Sequence, residues 1–194
     1  MPRARLLLLG LSLLATACGP ADTSGGTGTC TDATNPSVPN VAPNPGFECG
    51  DPPTGWNGPL TGTLAVGTGR SGNAGKVISK TNAGEQVKIT LASAEPVAST
   101  DLAGTWCVSA WLRGTGANGV VLLRRDLGGG SMLDEASFEP LTPEWKKFSH
   151  QASVSATDAR LFVAAGMRAP KTGEYVEVDD VQVWKSPSGT CSER

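Results

Sequence analysis

Val176 to Trp184, VEVDDVQVW, reads as a β-strand whose alternation breaks in its middle. Val176 and Val178 share one face, and so do Val181 and Val183, but the two pairs are out of phase by a single residue. A side-chain period of two cannot absorb an odd step unless one residue is inserted, as in a β-bulge. The stretch therefore predicts a strand with a bulge at Asp179-Asp180. It also poses a question: what do two adjacent carboxylates do in the middle of a strand?

The rest of the chain has the same short-period character. GEQVKITLA sets Val87, Ile89 and Leu91 against Gln86, Lys88 and Thr90. TWCVSAWLRG sets Trp106, Val108, Ala110 and Leu112 against Cys107, Ser109, Trp111 and Arg113. GVVLLRRD, EWKKFSHQASV and ARLFVAAGMR follow, separated by the turn clusters GTGANG, DLGGGS, ATDA and APKTGE. Short alternating runs between turn residues predict an all-β fold, a two-sheet antiparallel sandwich. No stretch keeps apolar residues at helical spacing, and no internal repeat is present. Residues 131–140, SMLDEASFEP, fit either a helical turn or a loop between strands.

The N-terminal end has the layout of an export signal over residues 1–17. Arg3 and Arg5 precede an apolar run, Leu6 to Leu14, too short to span a bilayer, and Ala15-Thr16-Ala17-Cys18 follows. Ala15-Thr16-Ala17 suits an ordinary signal peptidase, whereas Ala-Thr-Ala-Cys resembles the bacterial lipobox, with Ala15 in place of the usual leucine. Cysteine parity favours the second: with Cys18 lipidated, the even set Cys30, Cys49, Cys107 and Cys191 remains for an oxidising compartment. The expectation is an exported lipoprotein, touching the membrane through its anchor only. Gly19 after Cys18 resembles lipoproteins sorted outward, to the outer membrane or cell surface. Residues 18–40, rich in Gly, Ser, Thr, Asp, Asn and Pro, are expected to be a tether. Residues 41–186 make one domain, expected to be monomeric, with a tail over 187–194.

Several function classes are excluded. The formal net charge is -2 with no basic block, which argues against nucleic acid as a partner. The lone histidine, His150, accompanies no nucleophile motif and reads as an ordinary exposed strand residue. Asp126, Asp134, Glu135 and Glu139 lie in or beside turn-rich segments, with no pattern placing two across a cleft as a glycosidase needs. The Gly-rich runs near residues 67 and 126 lack a following helix or Gly-Lys-Ser/Thr, so no phosphate cradle is expected. The protein is not expected to be an enzyme.

Three segments taken in order carry a resemblance. Asn44-Pro45-Gly46-Phe47-Glu48 with Gly55-Trp56 opens the domain, Trp106 to Gly114 stands in its middle, and VEVDDVQVW closes it; Trp145-Lys146-Lys147-Phe148 lies between. The set resembles the family 4/9 type of carbohydrate-binding module, a galactose-binding-like jelly roll. That resemblance implies a jelly-roll β-sandwich, carbohydrate as the partner and, in many such modules, one structural Ca²⁺. It matches Glu48 to the opening glutamate and Asp179 and Asp180 to the closing pair, brought together because first and last strands are neighbours. Calcium takes ~6–8 oxygen ligands, so carbonyls from the turn around Gly67 to Gly72 are expected to complete the shell. The plain alternative is that Asp179 and Asp180 are solvated charges at an edge-strand bulge.

Four cysteines allow three pairings, which sequence alone does not choose between. If the first and last strands adjoin, Cys30 and Cys191 clip tether to tail and leave Cys49 for Cys107. Glycan recognition uses flat aromatic faces with polar groups reaching the hydroxyls. The candidates are Trp111 and Arg113, opposite the core face of the middle strand, with Arg125 and Tyr175. Two functions remain: a non-catalytic surface lipoprotein that binds polysaccharide or glycan, or a structural or adhesive envelope lipoprotein contacting protein partners through the same sandwich.

Overall fold

The computed structural model describes residues 38–97 and 99–192. The expected signal, Cys18, Cys30 and nearly all of the expected tether lie outside them. Ten strands follow one another: β1 (Trp56–Asn57), β2 (Gly62–Thr68), β3 (Asn73–Ser79), β4 (Lys88–Ser93), β5 (Gly104–Gly114), β6 (Asn118–Asp126), β7 (Met132–Pro140), β8 (Lys146–Val154), β9 (Arg160–Arg168) and β10 (Tyr175–Lys185). They form a front sheet, β1-β4-β9-β6-β7, and a back sheet, β2-β3-β10-β5-β8, antiparallel throughout, with no helix among the described residues. This is the two-sheet sandwich that the alternation predicts.

The core is built from the predicted parities. Trp106, Val108, Ala110 and Leu112 of β5 point inward, and Val176, Val178, Val181 and Val183 of β10 are all fully buried. Both valine pairs face the core because the β10–β5 register shifts between Asp179 and Gln182, where Asp180 adopts φ +48°. That is the bulge expected from the phase break, with Asp in the left-handed region it tolerates better than most residues. The bulge also changes β10's neighbour. Pairing with β3 ends at Val178. Beyond it the N-terminal segment takes over: Val181 N–H donates to Pro45 O and Val41 N–H to Val183 O, both at 2.9 Å, and Asn40 bonds Val181 and Val183 through its side chain.

The opening motif is a packing unit. Phe47 is fully buried, 5.3 Å from the Trp56 ring, and lies on the bare backbone of Gly75, where an added Cβ would come within 2.7 Å of it. Asn44, with φ +38°, holds the loop by donating to Cys49 O and Thr54 O and accepting from Cys49 N–H.

Three details differ from expectation. Residues 132–140 form β7, paired along nine positions with β6. Their Met-Leu-Asp-Glu-Ala composition suits a helix, but cross-strand pairing outweighs such weak local preference. The tight hairpin is set by Gly128, Gly129 and Gly130, all at positive φ. His150 is half-buried rather than exposed: it pairs across from the core position Val108, and burial pushes its pKa down.

The third is the disulfide pattern. Cys107 bonds Cys191, so neither Cys30–Cys191 nor Cys49–Cys107 forms. The cause is topological. Trp184 lies directly across from Cys107, on the back sheet's outer face, so the chain leaving β10 needs only a short return to bring Cys191 there. Trp184 is consequently only 1% exposed despite facing outward. Cys49 is also disulfide-bonded, and with Cys107 and Cys191 joined its partner lies outside the described residues.

The Cys107–Cys191 link closes a loop across 84 residues of sequence. In the chain-entropy treatment such a loop stabilises by about 4–5 kcal/mol. The paired Cys107→Ser/Cys191→Ser variant is expected to lose up to that amount in urea unfolding. Non-reducing peptide mapping is expected to recover the two cysteines in one linked peptide.

Candidate functional site

The front sheet's outer face is arranged in rows that the strand registers define. One row runs Thr90, Gly166, Val120, Phe138; the next runs Ala92, Ala164, Leu122, Ala136; the next pairs Phe162, Arg124 and Asp134. Alanine and glycine on β9 keep the middle flat. Val120, Leu122 and Ala164 form an apolar floor that is 0–2% exposed although it lies outside the sandwich core. Ala92 and Ala136 pack against it.

An ion-pair group stands on the same face. Arg124 donates to Asp134 through Nε (2.6 Å) and Nη2 (3.0 Å), and Lys88 Nζ lies 3.0 Å from Asp134 Oδ2. Lys88 shares its row with Arg168 and Asn118, six residues along β6 from Arg124 and on the far side of β9. A flat sheet could not bring Lys88 and Asp134 together. A twisted one raises its two diagonal corners toward the same side, and the long side chains meet above the floor. Burial pushes the Asp134 carboxyl up, but the hydrogen bonds from Arg124 and Lys88 outweigh it, so the group lies below the ordinary carboxylate range. Beside it Arg168 stacks over Phe138 at 4.8 Å.

Past this bridge the face stays open as a cleft of about 230 Å³. Asn57, Ala92 and Ala94 line one side, Arg124 and Met132 the other, and Phe162 the base. The arrangement offers a partly exposed aromatic ring, an exposed side-chain amide and a guanidinium to a ligand with both apolar faces and hydroxyls or other acceptors.

The residues nominated from sequence do not converge on one place. Trp111, Arg113 and Tyr175 lie on the back sheet's outer face, whereas Arg125 stands on β6 of the front sheet, bound to Asp158 at 2.7 Å and to Glu135. The back-face aromatic rings are already covered by cations. Arg70 lies 3.8 Å over Trp111, Lys76 4.3 Å over Tyr175 and Arg113 4.7 Å over Trp145. Arg113 is further held by Glu177 at 2.7 Å and by Thr68 O at 3.1 Å. Such a lattice is satisfied without a ligand.

Glu48 and Asp179 grip the same β2–β3 turn. Glu48 Oε1 accepts from Asn73 N–H at 3.0 Å and Asp179 Oδ2 from Arg70 N–H at 2.7 Å. The turn has glycines where the carboxylates press closest: a Cβ on Gly72 would fall 2.1 Å from Glu48 Oε1, and one on Gly69 2.8 Å from Asp179 Oδ2. Asp179 is 1% exposed, and its carboxyl is pushed up by burial and by Asp180's charge against the backbone bonds it accepts. Asp180 turns away, paired with the Arg70 guanidinium. No group of three or more His, Cys, Asp or Glu side chains suited to a metal occurs among the described residues. Two carboxylates beside a glycine-walled turn do suit a hard cation that takes its other ligands from carbonyls and water.

Sequence reasoning missed Phe162, Arg124, Asp134 and the cleft. Two signals were present: GVVLLRRD is apolar on both faces, and the middle outer positions of ARLFVAAGMR, Ala164 and Gly166, are small. Together they mark a second covered surface beyond the core.

No protein-family model and no curated protein matches the chain. Solved structures do resemble it. "Family 16 Carbohydrate Binding Module-2" aligns at 13% identity over 75% of this chain and all of its own, with a TM-score of 0.56. The CBM22-1 xylan-binding domain from Paenibacillus barcinonensis Xyn10C aligns at 13% identity over 72% of this chain and 90% of its own, also at 0.56. TmCBM61, solved with β-1,4-galactotriose, aligns at 20% identity over 76% and 99%, at 0.50. At such identities the likeness is one of fold: the chain is a jelly-roll β-sandwich of the kind seen in carbohydrate-binding modules.

Proposed function

We propose that this domain binds carbohydrate without catalysing its cleavage, on a lipoprotein anchored through Cys18 at the outer membrane or cell surface. The carrying observation is the cleft over Phe162 on a sandwich whose solved counterparts include a xylan-binding domain and a galactotriose complex. Phe162 presents an apolar face to a pyranose ring, while Asn57 and Arg124 reach its hydroxyls. The back-sheet candidates are spent on one another. Phe162→Ala and Arg124→Ala are each expected to weaken binding to soluble polysaccharide in affinity electrophoresis by about tenfold or more. Trp111→Ala is expected to leave it within about twofold, with all three melting as folded proteins. No retardation of the wild type on any of a broad polysaccharide panel would sink the reading.

A structural Ca²⁺ belongs to the same proposal. Glu48 and Asp179 would supply its charged ligands and the β2–β3 turn its carbonyls, the ion tying the first and last parts of the domain together. Adding millimolar Ca²⁺ to chelator-treated protein is expected to raise the melting temperature by several degrees, roughly what 1–2 kcal/mol gives a domain of this size. Glu48→Gln and Asp179→Asn should abolish that gain. An unchanged melting temperature in the wild type removes the ion from the account.

A further inference from the structure

We infer, on the basis of the carbohydrate-binding reading above, that the front-sheet site takes the end of a glycan chain and not its interior. A site for a chain interior needs a trough open at both margins of the sheet. Here the trough is blocked along its length. The Lys88–Asp134–Arg124 bridge arches over the face from β4 to β7; Val120 and Leu122 of β6 are fully buried, and Ala164 beside them marks the edge of the cleft. The Arg168–Phe138 stack occupies the face on the far side of the bridge. The cleft remains open, and Arg124, one leg of the bridge, is part of its wall.

The size agrees with the shape. At about 230 Å³ the cleft is smaller than the roughly 300–1,000 Å³ of sites that enclose drug-sized ligands. It has room for a terminal sugar ring set over Phe162 but not for a run of rings. A chain entering it stops against the guanidinium of Arg124, which Asp134 holds in place with two hydrogen bonds. Displacing that wall means separating Lys88 and Arg124 from a shared carboxylate that is 18% exposed, with no other carboxylate bonded to either cation among the described residues. The bridge thus sets which part of a polymer the site can read.

The test is calorimetric titration of the purified protein with xylo-, gluco- and galacto-oligosaccharides of two to six units. In whichever series binds, affinity per chain is expected to stay within about twofold as the chain lengthens. The Lys88→Ala/Asp134→Ala double variant removes the bridge, releases the Arg124 guanidinium from its two hydrogen bonds and keeps Phe162 and Asn57. It is expected to favour six units over two by about tenfold or more. Wild-type affinity that climbs as steeply with chain length overturns the chain-end inference and leaves carbohydrate binding standing. Failure of every series and of polysaccharide to bind overturns both. A double variant that binds but shows no length dependence also overturns it, since the bridge is then not the obstruction. Should that variant melt below working temperature, Asp134→Asn, which removes the charge that both cations share and keeps the side chain's volume, is read in its place.

Discussion

The fold depends on one extra residue in its last strand. With Asp180 in the left-handed region, β10 turns its side chains over halfway along and buries four valines rather than two. The same irregularity releases it from β3 and frees its upper half for Asn40 to Pro45. It also aims Asp179 at the β2–β3 turn, where Glu48 arrives from the opening motif. A regular strand could serve one of these neighbours but not all of them, because a one-residue slip reverses every facing that follows.

This explains how much could be read in advance. The slip is written in VEVDDVQVW, and the alternation of TWCVSAWLRG gave the inward face of β5 without ambiguity. Elements whose form depends on distant partners were not legible. The strand at residues 132–140 exists because β6 offers nine pairing positions and charges that match Asp134 and Glu135. Cys107 meets Cys191 because Trp184 happens to stand across from it, a register no spacing rule supplies. For the site, the sequence showed aromatic and arginine residues but not which sheet carried them. Trp111 was a sound candidate by type. It is removed from contention by Arg70, which is forty-one positions away in sequence and only 3.8 Å away in space.

The two outer faces use similar residues to different ends. On the back sheet Trp111, Tyr175 and Trp145 each have a cation across the ring, and these cations are drawn into a shared network around Glu177 and the β2–β3 turn. On the front sheet small residues leave a flat floor and one carboxylate collects two cations above it, while the ring at Phe162 has the more distant Arg160 guanidinium over it, 5.7 Å from its centroid, and stays partly exposed at the cleft. Because Asp134 is partly buried and shared by two donors, its pairs are less screened than ordinary surface ion pairs. The difference between a sealed face and a receptive one therefore comes from where small side chains fall along β9.

The attachment of the N-terminal segment to β10 has a mechanical side. That segment joins the back sheet, whereas the cleft opens on the front one. If the domain is tethered and binds glycan as proposed, tension between the N-terminal segment and a polymer held over Phe162 would cross the sandwich from face to face. It would be borne by interdigitated side chains such as Phe47, Trp106 and Leu91 rather than along a single hydrogen-bonded ribbon. Resistance to pulling would then scale with how well the interior is filled, so that a cavity made far from the cleft weakens the grip on a loaded strand without altering its affinity at rest.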